Sequence, residues 1–167
     1  MAQRSWLFVP GDSAKKLGKA AGVGADALII DLEDSVVETN KAAARTLTLD
    51  WLRAHRTQVV ADHKFARWVR INALDTHHWR DDLIAVLPGA PDGIMLPKSA
   101  GPEAVQQLGA ELYELEQRSG VPAGSTKILP LVSETAAAAL TIPAYASAPL
   151  PRLAGIDQES LKDLPPP

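Results

Sequence analysis

Ala27-Leu28-Ile29-Ile30 is an unbroken apolar run that leads directly into Asp31, Glu33 and Asp34. A run this short, with no polar alternation, reads as a strand buried on both faces, as in parallel sheets covered by helices. In such folds ligands bind at the carboxyl ends of the strands, which is where the three acids fall. Carboxylates crowded together there are costly without a cation or a basic partner.

The other apolar runs can be counted around this one. Trp6-Leu7-Phe8-Val9 stops at Pro10-Gly11, and Ala66 to Asn72 carries Arg70 near its end. Gly93-Ile94-Met95-Leu96 stops at Pro97-Lys98, and Lys127 to Val132 runs into Ser133-Glu134-Thr135. A sixth short strand is expected over Arg152 to Ile156. Between these runs the periodicity predicts helices from Asp12 or Ser13 to about Gly22, from Lys41 to His55, from His77 to Leu87 and from Pro102 to Ser119. In the last of these, Val105, Leu108, Leu112 and Leu115 recur at helical spacing. An alanine-rich helix start follows from Thr135 to Leu140, residues 142–151 read as irregular, and Val59-Val60 fits either a helix end or a short strand.

The layout is a β-α unit repeated about five times. At 167 residues the chain is shorter than the roughly 250 residues of a complete eight-stranded barrel. The expected fold is therefore α/β, an incomplete TIM (β/α)8 barrel with its first five to six strands. Residues 1–156 form the partial barrel domain, and 157–167 an atypical polar tail ending in three prolines. Seventeen Lys plus Arg against twenty Asp plus Glu give a net charge of -3 with no basic tract, so nucleic acid is not an expected partner. Without cysteine, thiolate nucleophiles, disulfides and cysteine metal ligands are excluded. No apolar run approaches membrane-spanning length and no signal pattern opens the chain, so a soluble cytoplasmic protein is expected.

Several residues could carry chemistry. Glu134 lies just past a buried strand and suits a hard divalent ion such as Mg²⁺, which takes oxygen ligands; it could equally be a helix-start carboxylate satisfied by backbone N–H groups. Asp31 and Glu33 should share a face by strand alternation, with Asp34 on the other. They could hold metal-bound water or pair with Arg70 and Lys98. Arg70 could grip a substrate carboxylate bidentately or close an internal salt bridge. Lys98 could bind phosphate or be an ordinary exposed lysine, and Pro10-Gly11 could bring backbone amides to an anion. His77 and His78 lack metal-site spacing and are expected to be exposed; His55 and His63 are no stronger, and Ser5 and Ser133 lack a nucleophile elbow or base. The four tryptophans are dispersed and read as structural.

Taken in order, Arg4 to Gly11, Gly24 to Val36, Lys41 with Ala44-Arg45, Val69-Arg70-Ile71-Asn72, Ile94 to Lys98 and Ser133-Glu134-Thr135 resemble the citrate lyase beta subunit-like CoA-ester lyases of the HpcH/HpaI aldolase superfamily. That resemblance implies a TIM barrel whose strand ends bind Mg²⁺ and an acyl-CoA. It implies reversible carbon–carbon cleavage of a short 3-hydroxyacyl-CoA such as malyl-CoA or citramalyl-CoA. It makes Arg70 the residue that stabilises the substrate carbonyl or enolate oxygen, Glu134 a direct metal ligand, and Asp31 and Glu33 acceptors for metal-bound water. Pro10, Gly11 and Lys98 would line the nucleotide side of the CoA pocket.

The chain departs from that family pattern after the expected sixth strand. The family continues with a Trp-Gly-Ala-Glu-Asp-Leu type segment whose aspartate is a second metal ligand, whereas Leu153-Ala154-Gly155-Ile156 here precedes Asp157-Gln158-Glu159. Neither Asp157 nor Glu159 matches the motif. Strands seven and eight are absent as well, so the expectation is a C-terminally truncated member, with a homo-oligomer or another chain completing the barrel. The alternative to a working lyase is a catalytically inactive homologue serving as a CoA-binding or oligomeric subunit.

Overall fold

The computed structural model describes residues 3–56 and 65–154. Val59-Val60, His63, Asp157, Glu159 and the expected tail 157–167 lie outside the described residues. Among the described residues five strands form one sheet: β1 (Trp6–Pro10), β2 (Ala27–Asp31), β3 (Ala66–Arg70), β4 (Gly93–Leu96) and β5 (Lys127–Pro130). The longer helices are α1 (Ala14–Ala20), α2 (Lys41–Ala54), α3 (Trp79–Val86) and α4 (Pro102–Ser119), and two short ones follow β5, α5 (Ala136–Ala139) and α6 (Ala144–Ser147). Among the described residues no helix is long and apolar enough to cross a membrane.

Every strand pairs in parallel with the next one in sequence, in the order β1-β2-β3-β4-β5. Right-handed crossovers between parallel neighbours put the connecting helices on one face. An order that never reverses has no switch point of the doubly wound kind; it is the way part of a (β/α)8 wall is built. Leu28, Ile30, Val69, Ile94, Leu96 and Ile128 pack in one cluster with Leu52 of α2, Leu83 of α3 and Leu108 of α4. Ala27, Ile29, Trp68 and Met95 form a second cluster, with Trp6, Leu129 and Leu131 against it. Burial of the β2 residues on both sides of the sheet, Ile29 as fully as Leu28 and Ile30, explains why this run shows no alternation.

On that second face Trp6 and Trp68 meet at 5.3 Å between ring centroids, and the Trp68 ring lies across β4 at Gly93. A Cβ on Gly93 would sit 2.1 Å from the ring, so only glycine fits without moving the tryptophan. Gly93→Ala should cost about 1–3 kcal/mol by overpacking, read as a fall in urea midpoint with unchanged slope.

Several elements end short of their expected bounds. The strand expected to reach Asn72 ends at Arg70, because the Asn72 N–H donates to the Asp82 carboxylate at 2.8 Å instead of to the sheet. The run expected to reach Val132 ends at Pro130, although Leu131 still donates to the Leu96 carbonyl at 2.8 Å. The first helix stops at Ala20, short of Gly22. The sixth strand reduces, within the described residues, to one parallel bridge between Leu153 and Ile128. Residues 142–151, read as irregular, contain α6, whose Tyr145 is buried with its hydroxyl 2.8 Å from Ser99 Oγ.

Candidate active site

Register places the chemistry. Asp31 closes β2 opposite Pro10 of β1 and Arg70 of β3, and Arg70 stands opposite Met95 of β4. The Arg70 guanidinium lies flat along the Asp31 carboxylate, donating from Nε and Nη2 at 2.8 Å each. Its Nη1 is 3.1 Å from Glu33 Oε2, and its Cζ lies 4.8 Å from the centroid of the Phe8 ring, within cation–π range. Two of its five N–H groups are spent on Asp31; the others, on Nη1 and Nη2, make no hydrogen bond among the described residues, Nη1 lying beside Glu33 as an ion pair.

Glu33 is shared. Its Oε1 is 2.9 Å from Lys98 Nζ, so one buried carboxylate bridges the Arg70 and Lys98 cations. Neither Glu33 oxygen accepts a well-directed hydrogen bond, so both keep acceptor capacity. Asp34 is exposed, 3.9 Å from Lys98 Nζ, as alternation predicts. Lys98 adopts a left-handed backbone, φ 51°, and its N–H donates to Glu134 Oε2 at 2.6 Å. Glu134 is thus satisfied by the β4 turn and not by its own helix start. Its other oxygen accepts no hydrogen bond among the described residues.

Burial acts against both buried carboxylates, with opposite outcomes. For Asp31 the bonds from Arg70, Ser35 and the Glu33 amide outweigh burial and hold the pKa below the ordinary value. For Glu33 burial outweighs Lys98 and Arg70 and pushes the carboxyl up. The Lys98 ammonium is pushed up by its close contact with the Glu33 carboxylate, and Arg70 is raised by Asp31.

The sequence-predicted residues Asp31, Glu33, Arg70, Lys98 and Glu134 therefore form one continuous chain of contacts. Pro10 and Gly11 lie beside it, but the Gly11 N–H donates to the Asp31 carbonyl at 2.9 Å and is not open to an anion. A Cβ there would meet that carbonyl oxygen at 2.9 Å, so the glycine serves packing. Lys98 borders two clefts of about 340 and 360 Å³, one walled by Glu33, Asp34 and Asn72, the other by Leu74, Leu96 and Ala104. A cleft of about 530 Å³ lies elsewhere, between α4 and residues 149–152.

Sequence reasoning assigned no role to the groups behind the site. Phe8, an ordinary strand residue by pattern, faces Arg70. Lys41 buries its ammonium against the turn after β2; the available signal was a cation opening a helix, contrary to the dipole preference. Arg45, Asp82 and Asn72 form a hydrogen-bonded string between α2, α3 and the end of β3. His78 was expected to be exposed, but its side chain is only 12% so, packed by Arg45 and Glu38. Glu38, His77 and His78 bring possible donor atoms within 4.8 Å of one another. Two imidazoles suit a transition metal and not Mg²⁺. Moreover, Arg45 Nη2 donates to His78 Nδ1 at 3.2 Å, which in the neutral tautomer leaves the proton on Nε2, turned to Glu38 at 2.9 Å. The lone pair a metal needs is then absent.

Comparison with known proteins adds descent to this geometry. The HpcH/HpaI aldolase/citrate lyase family matches residues 4–157. Citrate lyase subunit beta of Escherichia coli K12 is 36% identical over 127 residues, 76% of this chain and 40% of that protein. The (3S)-malyl-CoA thioesterase of Cereibacter sphaeroides ATCC 17029 is 41% identical over 112 residues, 65% of this chain and 38% of that protein. The chain thus matches about two fifths of the length of these curated relatives. Among solved structures, protein CitE from Mycobacterium tuberculosis in complex with magnesium and acetoacetate superimposes with a TM-score of 0.59 at 34% identity, covering 88% of this chain and 51% of that one. A Haloferax volcanii malate synthase gives a TM-score of 0.75 at 17% identity, covering 90% of this chain and 46% of that one, a likeness of fold.

Proposed function

Because this chain belongs to the HpcH/HpaI aldolase/citrate lyase family, we propose that it carries the anion-binding half of a Mg²⁺-dependent CoA-ester lyase site. The substrate is a short 3-hydroxyacyl-CoA such as malyl-CoA or citramalyl-CoA, cleaved reversibly between C2 and C3, in the cytoplasm. The observation that carries the reading is Arg70, held by Asp31 and paired with Glu33, with N–H groups on Nη1 and Nη2 not spent on hydrogen bonds. Those donors suit a thioester oxygen that gains charge when the C2–C3 electron pair moves onto it, and preorganised donors of this kind stabilise such charge.

The donors present fit Mg²⁺ as far as they go: Glu134 is an exposed carboxylate with an uncommitted oxygen, and Glu33 keeps two buried acceptors for a metal-bound water or substrate hydroxyl. When bound, Mg²⁺ would polarise the oxygens of the keto-acid fragment. The remaining roles belong to the chain. Glu134 holds the cation, Asp31 orients Arg70, and Lys98 meets anionic groups of CoA at the border of the two clefts. CitE's magnesium complex supports the same cation here.

Malyl-CoA turnover tests the reading, with the products separating its versions. Glyoxylate with acetyl-CoA marks the lyase, and free CoA thiol with intact malate marks a thioesterase. Glu134→Gln should lower Mg²⁺-dependent turnover at least a hundredfold; unchanged turnover rejects Glu134 as ligand. A second reading is favoured by the apolar face of Trp6, Phe8, Ile29, Met95, Leu129 and Leu131, which borders a cavity of about 340 Å³. There the chain is a CoA-binding subunit whose barrel is completed by a second copy or another chain. It predicts acetyl-CoA binding without turnover.

A further inference from the structure

We propose that Lys41 is a positioning residue for this site, holding the turn after β2 in the one shape that aims Asp31 at Arg70. The inference deepens the lyase reading and rests on it only for the consequence to ligand binding.

Lys41 is 8% exposed, and its ammonium donates to three backbone carbonyls, Leu32 at 2.9 Å, Glu33 at 3.1 Å and Val36 at 3.2 Å. An ammonium has three donors and no acceptor, so its capacity is filled by one turn. That turn presents its amides in the opposite sense: the Glu33 N–H donates to Asp31 Oδ1 at 2.9 Å and the Ser35 N–H to Asp31 Oδ2 at 3.1 Å. Carbonyls gathered by Lys41 and amides given to Asp31 are ends of the same peptide groups or their neighbours. Moving one set moves the other.

A second clamp meets the first. Asn72 Nδ2 donates to the same Leu32 carbonyl at 3.0 Å, and Asn72 is held by Asp82, which Arg45 Nε bonds at 2.7 Å. Leu32 O is therefore fixed from α2 by Lys41 and from the end of β3 by Asn72, between the two acids that touch Arg70. The residue type matters. A compact ammonium can stand at the centre of three converging carbonyls, whereas a planar guanidinium cannot.

Lys41→Met keeps most of the side-chain volume and removes the donors. Amide hydrogen exchange in the 167-residue chain is the readout. The Glu33 and Ser35 amides should exchange at least tenfold faster relative to the amides of β3 and β4, and the Arg70 Nε–H resonance should broaden. Acetyl-CoA affinity should fall about tenfold, with Lys41→Arg failing to restore it. If Lys41 serves stability alone, turn and strand amides accelerate together, and that result overturns the proposal. Should Lys41→Met not fold, the unaltered chain decides: a slowly exchanging Lys41 ammonium signal coupled to the Leu32, Glu33 and Val36 carbonyl carbons is required, and its absence overturns the assignment. If the unaltered chain does not bind acetyl-CoA, the lyase reading falls, and the exchange data still judge Lys41.

Discussion

Arg70→Met is expected to lower stability at neutral pH by about 3–5 kcal/mol, because it leaves two carboxylates buried without their shared counter-ion. Asp31 would lose its bidentate partner and Glu33 one of its two cations. Arg70→Lys should recover only part of the loss, since a point charge cannot span both Asp31 oxygens and reach Glu33. Replacing the pair together, Arg70→Met with Asp31→Leu, should be closer to the original stability than Arg70→Met alone. Urea denaturation of the three variants measures this, and equal stability of Arg70→Met and the unaltered chain would refute it. Both Arg70 variants should lose acyl-CoA turnover under the proposed function.

The pH dependence separates the two acids. The Asp31 carboxyl is lowered in the folded chain, so its contribution is present above the ordinary carboxylate range and is lost as pH falls through the folded value. Glu33 is raised, so its contribution is full below the unfolded value and is lost as pH rises through the folded one. Arg70→Met should therefore flatten the acid limb due to Asp31 and, by removing a cation from Glu33, extend the range over which Glu33 stays protonated.

Glu116→Gln is the second large effect, at a site remote from the chemistry. Glu116 is fully buried in α4 and accepts from the Gly124 and Thr126 amides at 2.7 and 2.9 Å and from Arg152 through two nitrogens at 2.9 Å. It ties the turn before β5 to the segment that returns to pair at Leu153. Burial opposes its ionisation, but Arg152 and the two amides outweigh that and bring the pKa from 4.5 down to about 2. Stability from this group is thus present above pH 4.5 and is lost between there and about 2. The loss is up to about 3 kcal/mol. Glu116→Gln should show that loss already at pH 7 and a flatter curve below pH 5; parallel curves for the two proteins would reject the account.

The strands were legible because each is a short apolar run closed by proline, glycine or a charged residue, a pattern that depends only on neighbours along the chain. The same local reasoning put Asp31, Glu33, Arg70, Lys98 and Glu134 at strand ends. It left Arg70 open between substrate and salt bridge, since that depends on which strand lies beside which and in what register. Parallel pairing of Asp31 with Arg70 decided for the bidentate contact. Lys41, Glu116 and Asp82 look like surface charges in sequence, and their partners are turn carbonyls, loop amides and side chains that only folding brings near. By itself the sequence determined the β-α repeat and the end of the sheet that bears the acids. Tertiary structure decided the pairing of the charges, because burial and hydrogen bonding are set by neighbours in space.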